Sequence, residues 1–487
     1  MPNIPTLPPY PSRGSAPDTF SLQADAFVAA MPNWGVQVQA VGDQAAADAA
    51  TAAAQAVAAA SAAGTAGAIK WVSGTTYAVG DARYSPADLQ TYRRKTDGAG
   101  TLDPSADPTN WAPVNLQATL ARSARTSNTA LAMADRSTLI DITSGTFTQT
   151  FSPASELSNG WYCWIRNSGT GVVTLDPNAS ELIDGLTSYA MYPSETRLVI
   201  CTGAAFYTVL LTGFKLEPAS TMTFIEPPGY RAYEVFLAAP GGGGGSGRVD
   251  AASTNRGGGG GGKGGTTNWA IVRAQTPGAS ITLTVGANGT GGAAQTTNST
   301  DGNAGTAGGN HSFGSLLYAA GGEGGYAGVL GTASGGAVTP APLGMVPSPS
   351  GGNCGDGGNG AAGTASPSQT LWASTGGGGG GAINISNTAF SGGAAGPSGT
   401  TNSSTQLLGG IAGVAGGTRP GGNGAIPKSH RAGTGGGGGA AHATAAGAAG
   451  GDGYHGGGGG GGSAAVNGQS SGAGGTGYGY YYVGGLF

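Results

Sequence analysis

Gly241-Gly242-Gly243-Gly244-Gly245, followed at intervals by Gly257 to Gly262, Gly376 to Gly381, Gly435 to Gly439 and Gly456 to Gly462, decides how this chain folds. Between these pure runs glycine falls into a period of three: Gly302, Gly305, Gly308; Gly322, Gly325, Gly328, Gly331; Gly410, Gly413, Gly416; and Gly447, Gly450, Gly453, Gly456. Three residues per turn is the repeat of the polyproline II conformation, which rises about 3.1 Å per residue and forms no internal hydrogen bonds. Its backbone groups need partners on neighbouring segments, and only glycine lets backbones approach closely on every side. A pure run therefore suits the middle of a bundle, and a Gly-x-x run suits its rim, with one tight edge and two residues facing out. Each glycine costs roughly 0.5–1 kcal/mol of extra chain entropy, and a backbone hydrogen bond returns roughly 0.5–1.5 kcal/mol net. Such a bundle balances only when nearly every group is paired.

Collagen needs an unbroken Gly-X-Y register with abundant proline; here the register resets and proline is sparse. A flexible linker has the same composition, but it would not carry strand-like pieces such as Ile281, Leu283 and Val285 alternating with Thr282 and Thr284, or Phe313 through Leu316, Leu317 and Tyr318. The C-terminal region, residues 214–487, is therefore expected to be an ordered polyglycine II bundle. Thr223, Phe224, Ile225, then Tyr233, Val235 and Leu237 read as its entry strands, and Tyr480 to Val483 as its closing strand.

Upstream, residues 137–213 switch to strands of period two with turn signals, as in Trp161 to Arg166, Leu198 to Cys201 and Phe206 to Leu211, and are expected to form a β-sandwich. Asp176, Pro177, Asn178 and Asp184, Gly185 read as turn formers. Residues 115–136, with Leu116, Leu120 and Leu131, read as a short helical spacer. Residues 69–114 form a small β module in which Trp71, Tyr77, Tyr92 and Trp111 have two readings: faces that stack on sugar rings, or the core of a domain too small to have another. Residues 18–68 read as helical and coiled-coil-like, with Asp18 or Thr19 as N-cap. Phe27, Met31, Trp34, Val38 and Val41 recur at spacings of four and three, a heptad seam that makes them oligomerisation candidates. Pro32 is expected to split this segment into two helices. Residues 1–17 are a proline-rich arm with no basic or apolar signal region.

Only 9% of the residues are charged and the net charge is -4, which argues against nucleic acid as a partner. Cys163, Cys201 and Cys354 fit neither a metal spacing nor a disulfide framework, and no segment has the apolar length of a membrane span. Gly257 to Gly262 with Lys263 invites a phosphate-binding reading, but Gly264 and Gly265 follow where a P-loop needs Ser or Thr. His311, His430, His442 and His455 are scattered, and Asp250, Asp301, Glu323, Asp356 and Asp452 are isolated from one another. No enzymatic site, metal or cofactor is expected.

The residues 69–114 resemble the small chitin-binding type modules that recur in bacteriophage tail fibres, with Ser85 to Thr91 inserted where those modules have a short turn. Residues 137–213 look like a β-sandwich common in phage virion proteins. The glycine-rich half resembles the tip domains of tailed-phage fibres, including adhesins whose polyglycine II helices stack into a sandwich. The resemblance implies a phage tail fibre or receptor-binding protein, made in the host cytoplasm and residing in the virion. It implies a homotrimer attached through its N-terminus to tail or baseplate proteins, whose tip meets a bacterial outer-membrane protein or surface polysaccharide. Binding would lie in loops joining the glycine segments, with Trp372, Ile383, Asn384, Phe390, Lys428, His430 and Arg431 as candidates. Two alternatives remain open: a purely structural virion component, and a polysaccharide-degrading tailspike.

Overall fold

The computed structural model describes residues 6–10, 12–14, 16–65, 69–87, 89–114, 120–333, 355–368, 373–398, 407–415, 420–427 and 430–487. Among the described residues, apart from one long N-terminal helix, the single turn Ala154–Leu157 and the 3-10 turns Pro104–Ala106 and Met133–Asp135, the regular structure is β, distributed over several sheets. The contacts divide the chain into two units, residues 1–120 and 121–487.

In the first unit the helix runs unbroken from Pro17 to Thr65, with Pro32 inside it. The expected break at Pro32 does not occur. An internal proline costs about 3 kcal/mol through its missing N–H and its clash with the carbonyl four residues back. Here that carbonyl belongs to Val28, which is exposed, so water reaches the freed oxygen, and the alanine-rich sequence beyond favours continuing the helix. The seam stays largely uncovered within one chain: Met31, Trp34 and Val38 are exposed and Phe27 and Val41 half-buried.

The small β module pairs Thr75–Tyr77 with Gly98–Gly100, beside a three-stranded sheet of Ala82–Tyr84, Thr91–Arg94 and Trp111–Pro113. Its core is Trp71, Tyr77 and Trp111, with Tyr77 and Trp111 edge to face at 5.1 Å. Arg94 lies 5.1 Å over Trp111, and Arg83 lies 5.3 Å over Tyr77. Of the two readings of these aromatics, the structure selects the core: Trp111 is 1% and Tyr77 2% exposed, so neither ring offers a face to a sugar.

Of the helical spacer expected over 115–136, residues 115–119 lie outside the described residues, and the second unit begins with a strand instead. Ala121–Arg125 pairs in parallel with Thr138–Ile142, and its arginines find acids across the fold, Arg122 on Asp141 and Arg125 on Asp135. Sheet pairing and charge partners distant in sequence override weak helical periodicity. The strand is the edge of a five-stranded sheet ordered Phe206–Thr212, Thr196–Thr202, Asn159–Asn167, Thr138–Ile142, Ala121–Arg125. A three-stranded sheet of Tyr189–Met191, Val173–Asp176 and Phe147–Thr150 shares its core, which includes Leu131, Ile140, Phe151, Trp161, Ile165, Leu175 and Phe206. Asp184, at φ +52°, closes a turn, and its carboxylate accepts the N–H and hydroxyl of Thr208.

The glycine-rich region stands on two four-stranded sheets. One is ordered Lys215–Leu216, Tyr480–Leu486, Ala232–Ala238, Thr267–Arg273; the other Met222–Ile225, Ser280–Thr284, His311–Phe313, Leu317–Ala319. Tyr192, Phe214, Phe224, Tyr233, Leu283 and Phe313 pack in the core they share. From the strand ends the chain passes into glycine segments whose hydrogen bonds rotate through three neighbours. The N–H groups of Gly242, Gly245 and Arg248 donate to Lys263, Gly260 and Gly257; those of Gly243, Ser246 and Val249 to Thr306, Asn303 and Thr300; those of Gly244 and Gly247 to Gly475 and Gly472. Carbonyls point at three others: Pro240, Gly243 and Ser246 accept from Gly322, Gly325 and Gly328, Gly242 and Gly245 from Gly459 and Gly462, and Gly244 from Gly292.

That arrangement explains both glycine patterns. A Cβ at Gly242, Gly243 or Gly244 would strike the carbonyl oxygen of Glu323, Thr290 or Gly460 respectively, three directions closed in three successive residues. On the rim, a Cβ at Gly302, Gly305 or Gly308 would strike Ser246, Gly243 or Pro240, while Asn303, Ala304, Thr306 and Ala307 between them are exposed.

His311 sits where sheet meets glycine lattice, 2% exposed, its Nδ1 accepting the Gly286 N–H at 2.9 Å. Burial holds the ring neutral and pushes its pKa down to about 4 from an ordinary 6.5. Protonation on Nδ1 would also abolish the acceptor for Gly286. The stability this neutral ring contributes is whole above about pH 6.5, where the unfolded chain is also neutral, and is lost as pH falls through about 4, a difference of about 3 kcal/mol. Urea unfolding at pH 7 and pH 4 should therefore show a smaller acid loss in His311→Gln than in the parent, by about that amount; equal losses would refute the role given to His311.

Candidate functional site

Strands enter the glycine lattice at Ala238, Gly286 and Ala319 and leave it at Thr267, His311 and Tyr480, which places both sheets at one end. The loops at the opposite, far end are bound to one another. Val249–Asp250 pairs with Ala465–Val466, Val249 bridges to Thr300, and Arg256 bridges to Ile383. Arg248 pairs with both Asp250 and Asp301. Burial opposes charge on Asp250, but the Ala251 N–H and Arg248 outweigh it and hold its carboxyl below the usual value. Gly468 N–H donates to Asn298 Oδ1, Ser299 N–H to Asn467 Oδ1, and Gln295 N–H to Ser471 Oγ. Arg256, fully buried, donates through Nη2 to the carbonyls of Ala252 and Asn384 and to Asn387 Oδ1. Loops far apart in sequence thus form one surface whose backbone is fixed from below by the lattice and from the side by arginine.

The residues singled out from sequence do not gather there as one cluster. Ile383 is wholly buried with Ala441 and Ala464, so it anchors its loop and offers nothing to a partner, a correction to its place among the contact candidates. Asn384 spends its carbonyl on Arg256 and its Oδ1 on the Thr388 N–H, closing the turn; Phe390 is half-buried. The exposed apolar residue of this loop is Ile385, 64% accessible. His430 lies at the sheet end instead. Its ring is 3.8 Å from Tyr482 and 5.9 Å from Phe236, and its Nδ1 is 3.7 Å from Glu234. It ties its loop to the sheet, with Arg431 half-buried beside it. Trp372 and Lys428 fall outside the described residues.

No family model and no curated protein matches the chain. Its chemistry must be read from the surface itself. Among the described residues no three His, Cys, Asp or Glu side chains gather as metal ligands, and no helix is long and apolar enough to cross a membrane. Asp250 and Asp301 are committed to Arg248, and Asp452 accepts the Thr476 N–H. Two clefts of about 470 and 420 Å³ open beside the sheets, the first lined by Glu226, Thr282, Thr284 and Ser312, the second by Thr221, Asn288, His311 and Tyr480. The far-end surface is thus suited to contact, with small polar side chains and isolated apolar ones held on a rigid frame. The arginines that stitch it together were missed from sequence, because each finds partners in other loops. The only cue was a charged residue at the end of a glycine run, Arg248 and Arg256.

Proposed function

We propose that this chain is a bacteriophage tail fibre or receptor-binding protein whose glycine-rich tip attaches the virion to a host bacterial surface, either an outer-membrane protein or a surface polysaccharide. In this reading the glycine segments are polyglycine II helices packed side by side. The long helix joins three copies through Phe27, Met31, Trp34, Val38 and Val41, and the N-terminal region engages tail or baseplate proteins. The observation that carries the proposal is the far-end surface: loops rich in Ser, Thr and Asn whose ends are held by a hydrogen-bonded backbone lattice. Such a frame fixes loop ends while leaving their tips variable, the arrangement that adaptable binding surfaces need.

The exposed seam favours self-association, since a helix with Met31, Trp34 and Val38 open to solvent gains stability by burying them against copies of itself. The purely structural reading predicts no host contact by the tip. Competition separates the two. Purified full-length protein should block adsorption of intact particles to host cells, and Ile385→Asp, which alters an exposed side chain without touching the lattice, should weaken that block about tenfold, the loss of one interface anchor. Full-length protein that is folded and does not compete leaves the structural reading standing and removes the adhesin one. Release of reducing sugar from host polysaccharide would turn the proposal into a tailspike.

A further inference from the structure

An asparagine followed by glycine is open to attack by its own backbone, because a glycine nitrogen with no adjacent Cβ reaches the asparagine side-chain carbon with little hindrance. The chain has five such pairs: Asn159-Gly160, Asn288-Gly289, Asn359-Gly360, Asn423-Gly424 and Asn467-Gly468. Sequence alone does not rank them. The fold does.

In three pairs both reacting groups are held. The Gly289 N–H donates to the Gly477 carbonyl at 3.1 Å while Asn288 Oδ1 accepts the Gly479 N–H. The Gly424 N–H donates to the Asp452 carbonyl at 2.7 Å while Asn423 Oδ1 accepts the Asp452 N–H at 2.9 Å. The Gly468 N–H donates to Asn298 Oδ1 at 2.8 Å while Asn467 Oδ1 accepts the Ser299 N–H at 3.2 Å. Asn159 opens the strand Asn159–Asn167, its backbone paired with Thr202 in the five-stranded sheet. Asn359-Gly360 differs from all four. It forms the tip of a far-end loop between Gly358, whose N–H is bound to Gly380, and Ala361, whose carbonyl is bound by Ala382. Asn359 is exposed, Gly360 has φ +60°, and among the described residues neither the Asn359 side chain nor the Gly360 N–H has a hydrogen-bond partner.

We infer that Asn359 is a site of spontaneous deamidation that reacts ahead of the other four pairs. The Gly360 nitrogen gives its proton to hydroxide and bonds to Asn359 Cγ. The bond from Cγ to the side-chain nitrogen breaks, and ammonia leaves with a proton from water. The cyclic imide so formed is opened by water at one of its two carbonyls, leaving aspartate or isoaspartate. No oxidant, metal or cofactor enters. The new carboxylate appears on the loop packed against Asn255, the residue before Arg256, whose Nε and Nη1 are buried without partners. The modification thus places a negative charge on the loop packed against the neighbour of Arg256, whose guanidinium makes no ion pair among the described residues.

The test follows each pair by peptide mapping with isoaspartate detection, on the full folded chain kept at mildly alkaline pH and, in parallel, on the chain in concentrated urea. Folded, Asn359 should convert about tenfold faster than Asn288, Asn423 or Asn467, each of which must first break the bonds that hold it. It should also outpace Asn159. In urea the five rates should converge. Asn359→Gln should abolish the fastest product and leave the others unchanged. Conversion led by any other pair in the folded chain, or an Asn359 rate suppressed by folding as strongly as the rest, overturns the inference.

Discussion

Gly243→Ala should abolish folding of the glycine-rich region. The added methyl group would meet the Thr290 carbonyl oxygen, a backbone atom with no rotamer to move into. Thr290 itself is held by the Thr306 N–H at its carbonyl, and Gly243 is bound through its own N–H to Thr306 and through its carbonyl to Gly325. Moving either segment to make room therefore breaks bonds to others, because each glycine segment is shared among several neighbours. Overpacking alone costs roughly 1–3 kcal/mol, and each hydrogen bond lost in relieving it adds about 1 kcal/mol. A handful of such bonds brings the total to the whole stability of a typical domain, about 5–15 kcal/mol. Ala304→Ser, on the exposed side of a rim segment, should change stability by no more than about 0.5 kcal/mol. Circular dichroism and urea unfolding of both full-length variants decide the matter. A Gly243→Ala protein that melts with its parent would mean that the lattice yields where the packing says it cannot.

The same geometry explains what was legible in the sequence. Steric exclusion acts residue by residue, so the rim positions Gly302, Gly305 and Gly308 and the closed run Gly241 to Gly245 appear directly as a period and as a run. The aromatics of the small module were legible as a set but not as core or sugar-binding face; the burial of Trp71, Tyr77 and Trp111, with Tyr92 packed against them, decides for the core. Which segments lie side by side was not legible, because glycine carries no side chain to mark a partner. Nothing in Gly242, Gly243 and Gly244 announces Lys263, Thr306 and Gly475 as their acceptors. The candidate site suffered most. Ile383 looked like a loop anchor for a receptor and is an anchor for the loop itself. Its neighbour Asn384 is held by Arg256, 128 residues earlier in the chain. Contacts over that distance leave no periodic trace, and the same holds for Ala121–Arg125, a strand made by its sheet neighbour and its acidic partners.

Arg197→Ala should cost about 3–5 kcal/mol, the range for removing one partner of a buried ion pair. Arg197 is 1% exposed and lies over the rings of Tyr189, at 4.9 Å, and Tyr230, at 5.8 Å. Its guanidinium donates to Glu195 Oε1, to the Thr208 hydroxyl and to the Pro228 carbonyl. It therefore pins the strand Thr196–Thr202 to the turn at Pro228 that leads into the glycine-rich region. Alanine would leave Glu195, wholly buried, without its cationic partner, with the Tyr192 N–H at its Oε2 and the Tyr230 hydroxyl beside it. Burial already raises the Glu195 pKa while Arg197 opposes that rise, so without the arginine the carboxyl moves up further and takes a proton. A carboxyl whose folded pKa lies above its unfolded value weakens the fold above that value and regains stability as pH falls through it. The penalty of Arg197→Ala, measured by urea unfolding, should accordingly be smaller at pH 5 than at pH 7. Combining Arg197→Met with Glu195→Gln should recover part of the loss, since the stranded charge is gone and the space between the tyrosines is refilled. A double variant no more stable than Arg197→Ala would place the cost in the lost hydrogen bonds to the Thr208 hydroxyl and the Pro228 carbonyl instead of in the uncompensated carboxylate.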